Sequence, residues 1–170
     1  RKTRLVILSV PALLAAALTW ANWPGPTPLP AGTVADRVVV RKSARVLEVM
    51  RAGTNFGRIG FPSAHIRSVQ SSAKPTAAHQ RVATFLTTAT PFHLALHVSY
   101  PSTQDRRAAE ARGVSPGGLI MVHGLRNGIG FIGRLHRLSD WTNGCIALTN
   151  PEIDELARVV PNGTPILILP

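Results

Sequence analysis

The sequence predicts a mostly β fold, a β-sandwich with two short helices. Two observations predict it: apolar runs of strand length recur between Gly, Pro and Asn punctuation, and only two short segments of the domain carry helix caps. At 170 residues and 45% hydrophobic, the chain is long enough for one domain with a core and too short for two ordinary ones.

Before the domain, Arg1, Lys2 and Arg4 precede an uncharged run from Leu5 to Ala21, the order of a positive region followed by an apolar one. This order marks residues 1–21 as an export signal peptide or an N-terminal membrane anchor. Thr19-Trp20-Ala21 offers a small-x-small cleavage site, whereas Trp20 and Trp23 suit a membrane interface. Either way the sequence places the domain outside the cytoplasm, in the periplasm or cell envelope. Residues 22–33, rich in Pro and Gly, read as an extended tether, and the domain is taken as 34–170.

Within the domain, Arg37 to Lys42 and Arg45 to Met50 read as a strand pair broken at Ser43, with Ala52-Gly53 as the next turn. Phe92 to Val98 alternates: Phe92, Leu94, Leu96 and Val98 share one face of a half-buried strand. Thr103 to Arg112 is a short charged helix capped by Ser102 or Thr103 and stopped by Gly113. Leu119 to Val122 is an apolar strand ending at His123-Gly124, after which Gly128, Gly130 and Gly133 mark a long flexible loop. Cys145 to Leu148 is again strand-like. Thr149 or Asn150 then caps a helix with Pro151 in its first turn, and Pro165 to Leu169 closes as a last strand.

The formal charge is +11, and three of these positives belong to the leader. Lys and Arg are scattered, without a basic helix interleaved with aromatics, which argues against nucleic acid as a partner. A basic body suits the acidic polymers and anionic lipids of an envelope.

Chemistry gathers around the single cysteine. Cys145 cannot form an internal disulfide, so it is either a buried apolar residue or a reactive thiol. Gly144 before it and the polar lead-in from Asp140 set it at a loop-to-strand junction, which favours exposure. A thiol attacks as thiolate, and an imidazole within reach takes its proton. By position His123 and His136 qualify about equally. His93 and His97 share a strand face but lack an evident third ligand, so no metal and no cofactor is expected.

The stretch from Ile120 to Ile168, with His123-Gly124 and Thr142-Asn143-Gly144-Cys145 inside it, resembles the catalytic segment of the L,D-transpeptidase (YkuD-type) family. Asp140-Trp141-Thr142-x-Gly144-Cys145 is similar to one subgroup of it. The resemblance implies a transferase of cell-wall biogenesis and cell shape that acts on peptidoglycan stem peptides. Cys145 would be the acyl-accepting nucleophile, His123 the general base, and Gly144 with Cys145 the backbone donors to an oxyanion. It also implies acylation by carbapenem-type β-lactams. Asn143 departs from the family's more usual His, and His136 is the candidate to supply that imidazole. Gly124, Thr142 and Asn143 are candidate substrate-binding positions. Arg134 and Arg137 offer themselves to a stem-peptide carboxylate, an ordinary solvated loop being equally consistent. Water as acceptor would make the chain an L,D-carboxypeptidase or amidase, and an inactive wall-binding relative is the rival from another class.

Residues 62–91 do not fit the resemblance. Fifteen of these thirty residues are Ser, Thr or Ala, and no acid occurs between Glu48 and Asp105. The family's turn and cleft-lining strand have no counterpart here, which fits a segment read in a shifted coding frame or a divergent insert. A shifted frame would leave the domain one strand short.

Overall fold

The computed structural model describes residues 2–23, 28–60, 80–86 and 90–169, with backbone alone for 2–9 and 80–86. The apolar N-terminal run is a helix, α1 (Lys2–Asn22), with Pro11 inside it. Among the described residues no helix is long and apolar enough to cross a membrane.

The domain opens with the strand pair and the turn that the sequence predicts, and a third strand follows them. Strands β1 (Arg37–Arg41), β2 (Val46–Arg51) and β3 (Thr54–Gly60) form an antiparallel meander. Its turns need left-handed backbone, which Arg45 (φ 55°) and the Ala52-Gly53 pair (φ 49° and 77°) supply. Then come β4 (Gln80–Leu86), β5 (Ala95–Val98), β6 (Met121–His123), β7 (Ile146–Ala147) and β8 (Pro165–Leu169). The order across the sheet is β3-β2-β1-β8-β4-β5-β6-β7. Two pairings are parallel, β1 with β8 and β6 with β7. β4 bonds to β8 through Gln80 and Arg81 and to β5 through the rest of its length, so it joins the two halves.

Both halves contribute to one core. Val38, Val40, Leu47, Val49 and Ile59 from the first meet Leu96, Val98, Val122, Ile146 and Leu148 from the second. Ile153, Leu156 and Val159 of helix α3 (Asn150–Val159) close it. The expectation of a mostly β sandwich fits only roughly, because the sheet is mixed and helical segments flank it. Helix α2 (Thr103–Glu110) is capped by Ser102, whose hydroxyl accepts from the Asp105 N–H at 3.1 Å while the Asp105 carboxylate accepts from the Ser102 N–H at 2.8 Å. At α3 the cap is Thr149, and its N–H donates to Glu152 at 2.9 Å.

Four expectations need correction. The strand read from Phe92 forms a regular ladder only from Ala95. Pro91 has no N–H to extend it, Phe92 makes one isolated bridge to Arg126, and the His93 N–H reaches the Leu125 carbonyl at 2.9 Å. The strand read from Leu119 starts at Met121, because Leu119 is left-handed with φ 54°. The glycine-marked loop is not shapeless: residues Gly130–Leu138 coil into 3-10 turns kinked at Gly133 (φ 50°). No strand is read within the atypical segment, yet one stands at Gln80–Leu86, while residues 62–79 and 87–89 lie outside the described residues.

Inside the stretch read as tether, Leu29 is 6% exposed and packs against β3 so closely that a Cβ on Gly57 would overlap it. The Leu29 N–H donates to the Glu155 carboxylate, and Arg158 donates to the Leu29 carbonyl at 2.9 Å.

Candidate active site

Two parallel strands set the site. β6 and β7 pair Val122 with Ile146 and His123 with Ala147, and one step back along that register puts Cys145 beside Met121. A backbone hydrogen bond from Met121 reaches the Cys145 sulfur, confirming that placement. The thiol itself donates to the Leu119 carbonyl at 3.5 Å. Met121 and His123 lie two residues apart on one strand and so share the face to which Cys145 belongs. The thiol is half-buried at the start of β7, the junction the sequence predicts.

The lead-in to Cys145 holds it there. Gly144 has φ 101°, a conformation that a side chain would strain. The Thr142 hydroxyl donates to the Cys145 carbonyl at 2.6 Å and ties the turn shut. Asn143, between them, is exposed.

His123 is 1% exposed. Its Nδ1 lies 2.7 Å from the Gly124 carbonyl, an oxygen that can only accept, so Nδ1 carries the proton and Nε2 keeps the basic lone pair. The ring stacks on Phe92 with centroids 3.8 Å apart, and Trp141 meets it edge-on at 5.6 Å. Gly124 is needed for packing, since a Cβ there would lie 2.9 Å from Ile153 and 3.1 Å from Asn150. Asn150 in turn accepts from the Leu125 N–H at 2.9 Å.

Burial sets the electrostatics. Desolvation pushes the Cys145 thiol up, and the Met121 hydrogen bond offsets it only in part. Desolvation also lowers His123, opposed by its bond to Gly124 and aided by the Arg126 charge. The resting pair is therefore a neutral thiol and a neutral imidazole.

His136 is also buried, at 5% exposed, and lies edge-on to Trp141 with centroids 6.2 Å apart. Desolvation, with the Arg137 charge, lowers it to about 4, so it too is neutral at ordinary pH. Among the described residues neither of its ring nitrogens has a hydrogen-bond partner, nor have Arg137 Nε and Trp141 Nε1. Trp141 thus separates two imidazoles, one at the nucleophile's strand and one in the 3-10 turns.

The remaining candidates are engaged elsewhere. Arg137 holds Glu152 with both carboxylate oxygens at 2.6 Å. Arg134 donates to the Trp23 carbonyl at 2.8 Å. His93 pairs with Asp154 at 2.8 Å, and among the described residues no group of His, Cys, Asp and Glu is arranged to hold a metal ion. A cavity of about 570 Å³ lies between α1, β3 and α3, lined by Trp23, Leu29, Phe56, Arg134 and Glu155 among others, and neither Cys145 nor His123 borders it.

Sequence reasoning missed Phe92, Asn150 and Leu119 as parts of the site. Phe92 read as an ordinary core position, and nothing in the sequence signals that its ring would face an imidazole. Trp141 stood in the quoted motif without a role.

A family model for the YkuD L,D-transpeptidase catalytic domain matches residues 35–168. No curated protein matches the chain. Among solved structures, the helical cell shape determining protein Pgp2 from Campylobacter jejuni is similar in fold, with TM-score 0.54 and 16% identity over 91% of this chain and 54% of that one. Bd1075 from Bdellovibrio bacteriovorus is similar with TM-score 0.53 and 16% identity over 84% of this chain and 50% of that one. The chain thus spans about half the length of these structures.

Proposed function

The chain belongs to the YkuD family of L,D-transpeptidase catalytic domains, and on that footing we propose that it is an exported cysteine acyltransferase of peptidoglycan stem peptides. The observation that carries the reading is the tautomer of His123. With Nδ1–H committed to Gly124, Nε2 keeps the basic lone pair, and the β6–β7 register puts His123 on the strand face to which Cys145 belongs.

The reaction runs in two halves. Nε2 takes the thiol proton as sulfur attacks the carbonyl carbon of the stem peptide, and the oxyanion collects at the backbone N–H groups of Gly144 and Cys145. Collapse breaks the C–N bond. The imidazolium returns its proton to the departing amine, and a thioester on Cys145 remains. A second amine then attacks the thioester, gives its proton to His123 and leaves with the acyl group, restoring the thiol. Water in place of that amine gives hydrolysis, the carboxypeptidase outcome. Neutral Cys145 and His123 in the resting site favour proton transfer in step with attack over a preformed ion pair.

His136, buried and neutral behind Trp141, positions that ring in this reading. Arg137 braces α3 through Glu152, leaving Thr142, Asn143 and Gly124 as the nearer substrate contacts. Pgp2 is a helical cell shape determining protein, and a role in cell shape is the corresponding proposal here. Export places this chemistry in the periplasm or envelope.

The test is the intact mass of the protein after exposure to a carbapenem, beside Cys145→Ala. An adduct confined to the parent chain supports the reading, and a stem tetrapeptide with and without an acceptor amine then separates transfer from hydrolysis. Absence of adduct on folded protein would move the chain to the non-catalytic wall-binding reading.

A further inference from the structure

The end of α1 is fixed to the loop that precedes the nucleophile. Ala21 is 2% exposed, and its carbonyl lies 2.5 Å from where a Cβ on Gly133 would stand. Asn22 Nδ2 donates to the Phe131 carbonyl at 2.8 Å, and Arg134 donates to the Trp23 carbonyl at 2.8 Å. The helix thus meets the 3-10 turns at a seam without room for a side chain.

Beyond that seam the apolar surface has no cover among the described residues. The face that buries Ala21 continues through Leu14, Leu13 and Val10, exposed at 58%, 69% and 61%. Trp20 and Trp23 flank the seam at 63% and 65%, and from the domain side Phe131 joins them at 63%. No charged residue occurs from Leu5 to Ala21, on any face of the helix. A helix apolar all round lies in a protein interior or in lipid. The charges in these two stretches of sequence have one sign: no acid precedes Asp36, with Arg1, Lys2 and Arg4 before the apolar run, and none lies between Glu110 and Asp140, where Arg134 stands in the seam itself. Nearby Glu152 and Glu155 are committed to Arg137 and to the Leu29 N–H with Arg158.

We infer that α1 and the Phe131 turn together form one membrane-docking surface that seats on an anionic bilayer. Trp20, Trp23 and Phe131 lie at headgroup level, where amphipathic and aromatic rings collect, and the cations face lipid phosphates. Because α1 is locked to the turns that lead into Cys145, docking also fixes the height and tilt of the site above the lipid. The inference adds a partner to the proposed activity without depending on the chemistry at Cys145.

Phe131→Glu in the full chain tests it, with Phe131 outside the catalytic machinery. The measurement is co-sedimentation with vesicles of phosphatidylglycerol and phosphatidylethanolamine, compared with pure phosphatidylcholine, with light scattering in vesicle-free buffer alongside. The parent chain is expected to bind the anionic vesicles at least ~10-fold more tightly than the neutral ones, its surface cations being drawn to the anionic headgroups. Phe131→Glu is expected to weaken that binding ~10-fold or more, the value of one buried aromatic ring, while carbapenem acylation of Cys145 is unchanged. Equal binding by parent and variant would show that α1 alone meets lipid and overturn the shared surface. Equal binding to both lipids would overturn the anionic partner. A dimer in buffer that Phe131→Glu dissociates, with no vesicle binding, would give the patch to a second copy of the chain instead. Loss of acylation in the parent chain would count against the enzyme and leave the docking result standing.

Discussion

His123 lies flat against Phe92, ring centroids 3.8 Å apart and planes 25° from parallel. The imidazole is held on three sides: Phe92 on its face, Trp141 at its edge, and the Gly124 carbonyl on Nδ1. Only Nε2 is left to act, and its direction depends on that packing. Phe92→Leu keeps an apolar neighbour but removes the flat surface that fixes the ring plane. It is expected to slow carbapenem acylation ~10-fold, a modest misplacement of the base. His123→Gln removes the base itself and should cost ~10²–10⁴-fold. Stopped-time intact-mass measurements give both rates. A Phe92→Leu rate equal to the parent's would mean that the stack has no part in aiming Nε2.

The two neutral groups predict a particular pH dependence. His123 is lowered below its ordinary 6.5, so its basic form persists into mildly acidic solution. Cys145 is raised above its ordinary 9.0, so free thiolate is scarce at neutrality. Acylation assisted by His123 should hold its rate as pH falls through 6.5 and decline only below that. Alkylation by iodoacetamide, which needs preformed thiolate, should be slow at pH 7 and keep rising past pH 9. An alkylation rate that levels off near neutrality would instead reveal a thiolate-imidazolium pair and sink the concerted proton transfer.

Much of this was readable from the chain because it rests on local signals. The β1–β2 pair follows from two apolar runs with a polar break at Ser43, and the turn after it from Ala52-Gly53. Both domain helices announce themselves through their caps, Ser102 or Thr103 before one and Thr149 or Asn150 before the other, of which the fold uses Ser102 and Thr149. Cys145 at a loop-to-strand junction, after a glycine, was legible for the same reason. What stayed hidden is tertiary. The order of strands, with β8 returning beside β1 and β4 joining the halves, depends on long-range pairing that periodicity does not encode. Arg137 looked free to meet a substrate carboxylate because its partner, Glu152, lies on another element. Phe92 looked like core because a stacked imidazole leaves no mark on alternation.

His136 gives a prediction about stability. It is 5% exposed, has no hydrogen-bond partner among the described residues for either ring nitrogen, and is lowered to about 4 in the fold against an ordinary 6.5. Between these values the unfolded chain binds a proton that the folded chain refuses. Stability is therefore complete above about 6.5 and is lost as pH falls toward 4, by roughly 3 kcal/mol for this group. His136→Phe fills the space beside Trp141 without a titrating group. Urea midpoints at pH 7 and pH 4.5 should differ less in the variant than in the parent. An unchanged difference would assign the acid sensitivity to another group.

Gly144 separates strain from chemistry. At φ 101° an alanine is strained by about 1–3 kcal/mol, and relieving that strain means turning the peptide that precedes Cys145. That peptide carries the N–H proposed for the oxyanion, so Gly144→Ala should lose acylation by far more than its stability loss explains. Gly163 offers the matched control, with φ 83° and open space around an added Cβ, in the turn before β8. Gly163→Ala is expected to lower the melting temperature comparably and to retain the carbapenem adduct. Were Gly144→Ala to acylate at the rate of Gly163→Ala, the turn would be only a structural necessity, and the oxyanion would have to be held by other donors.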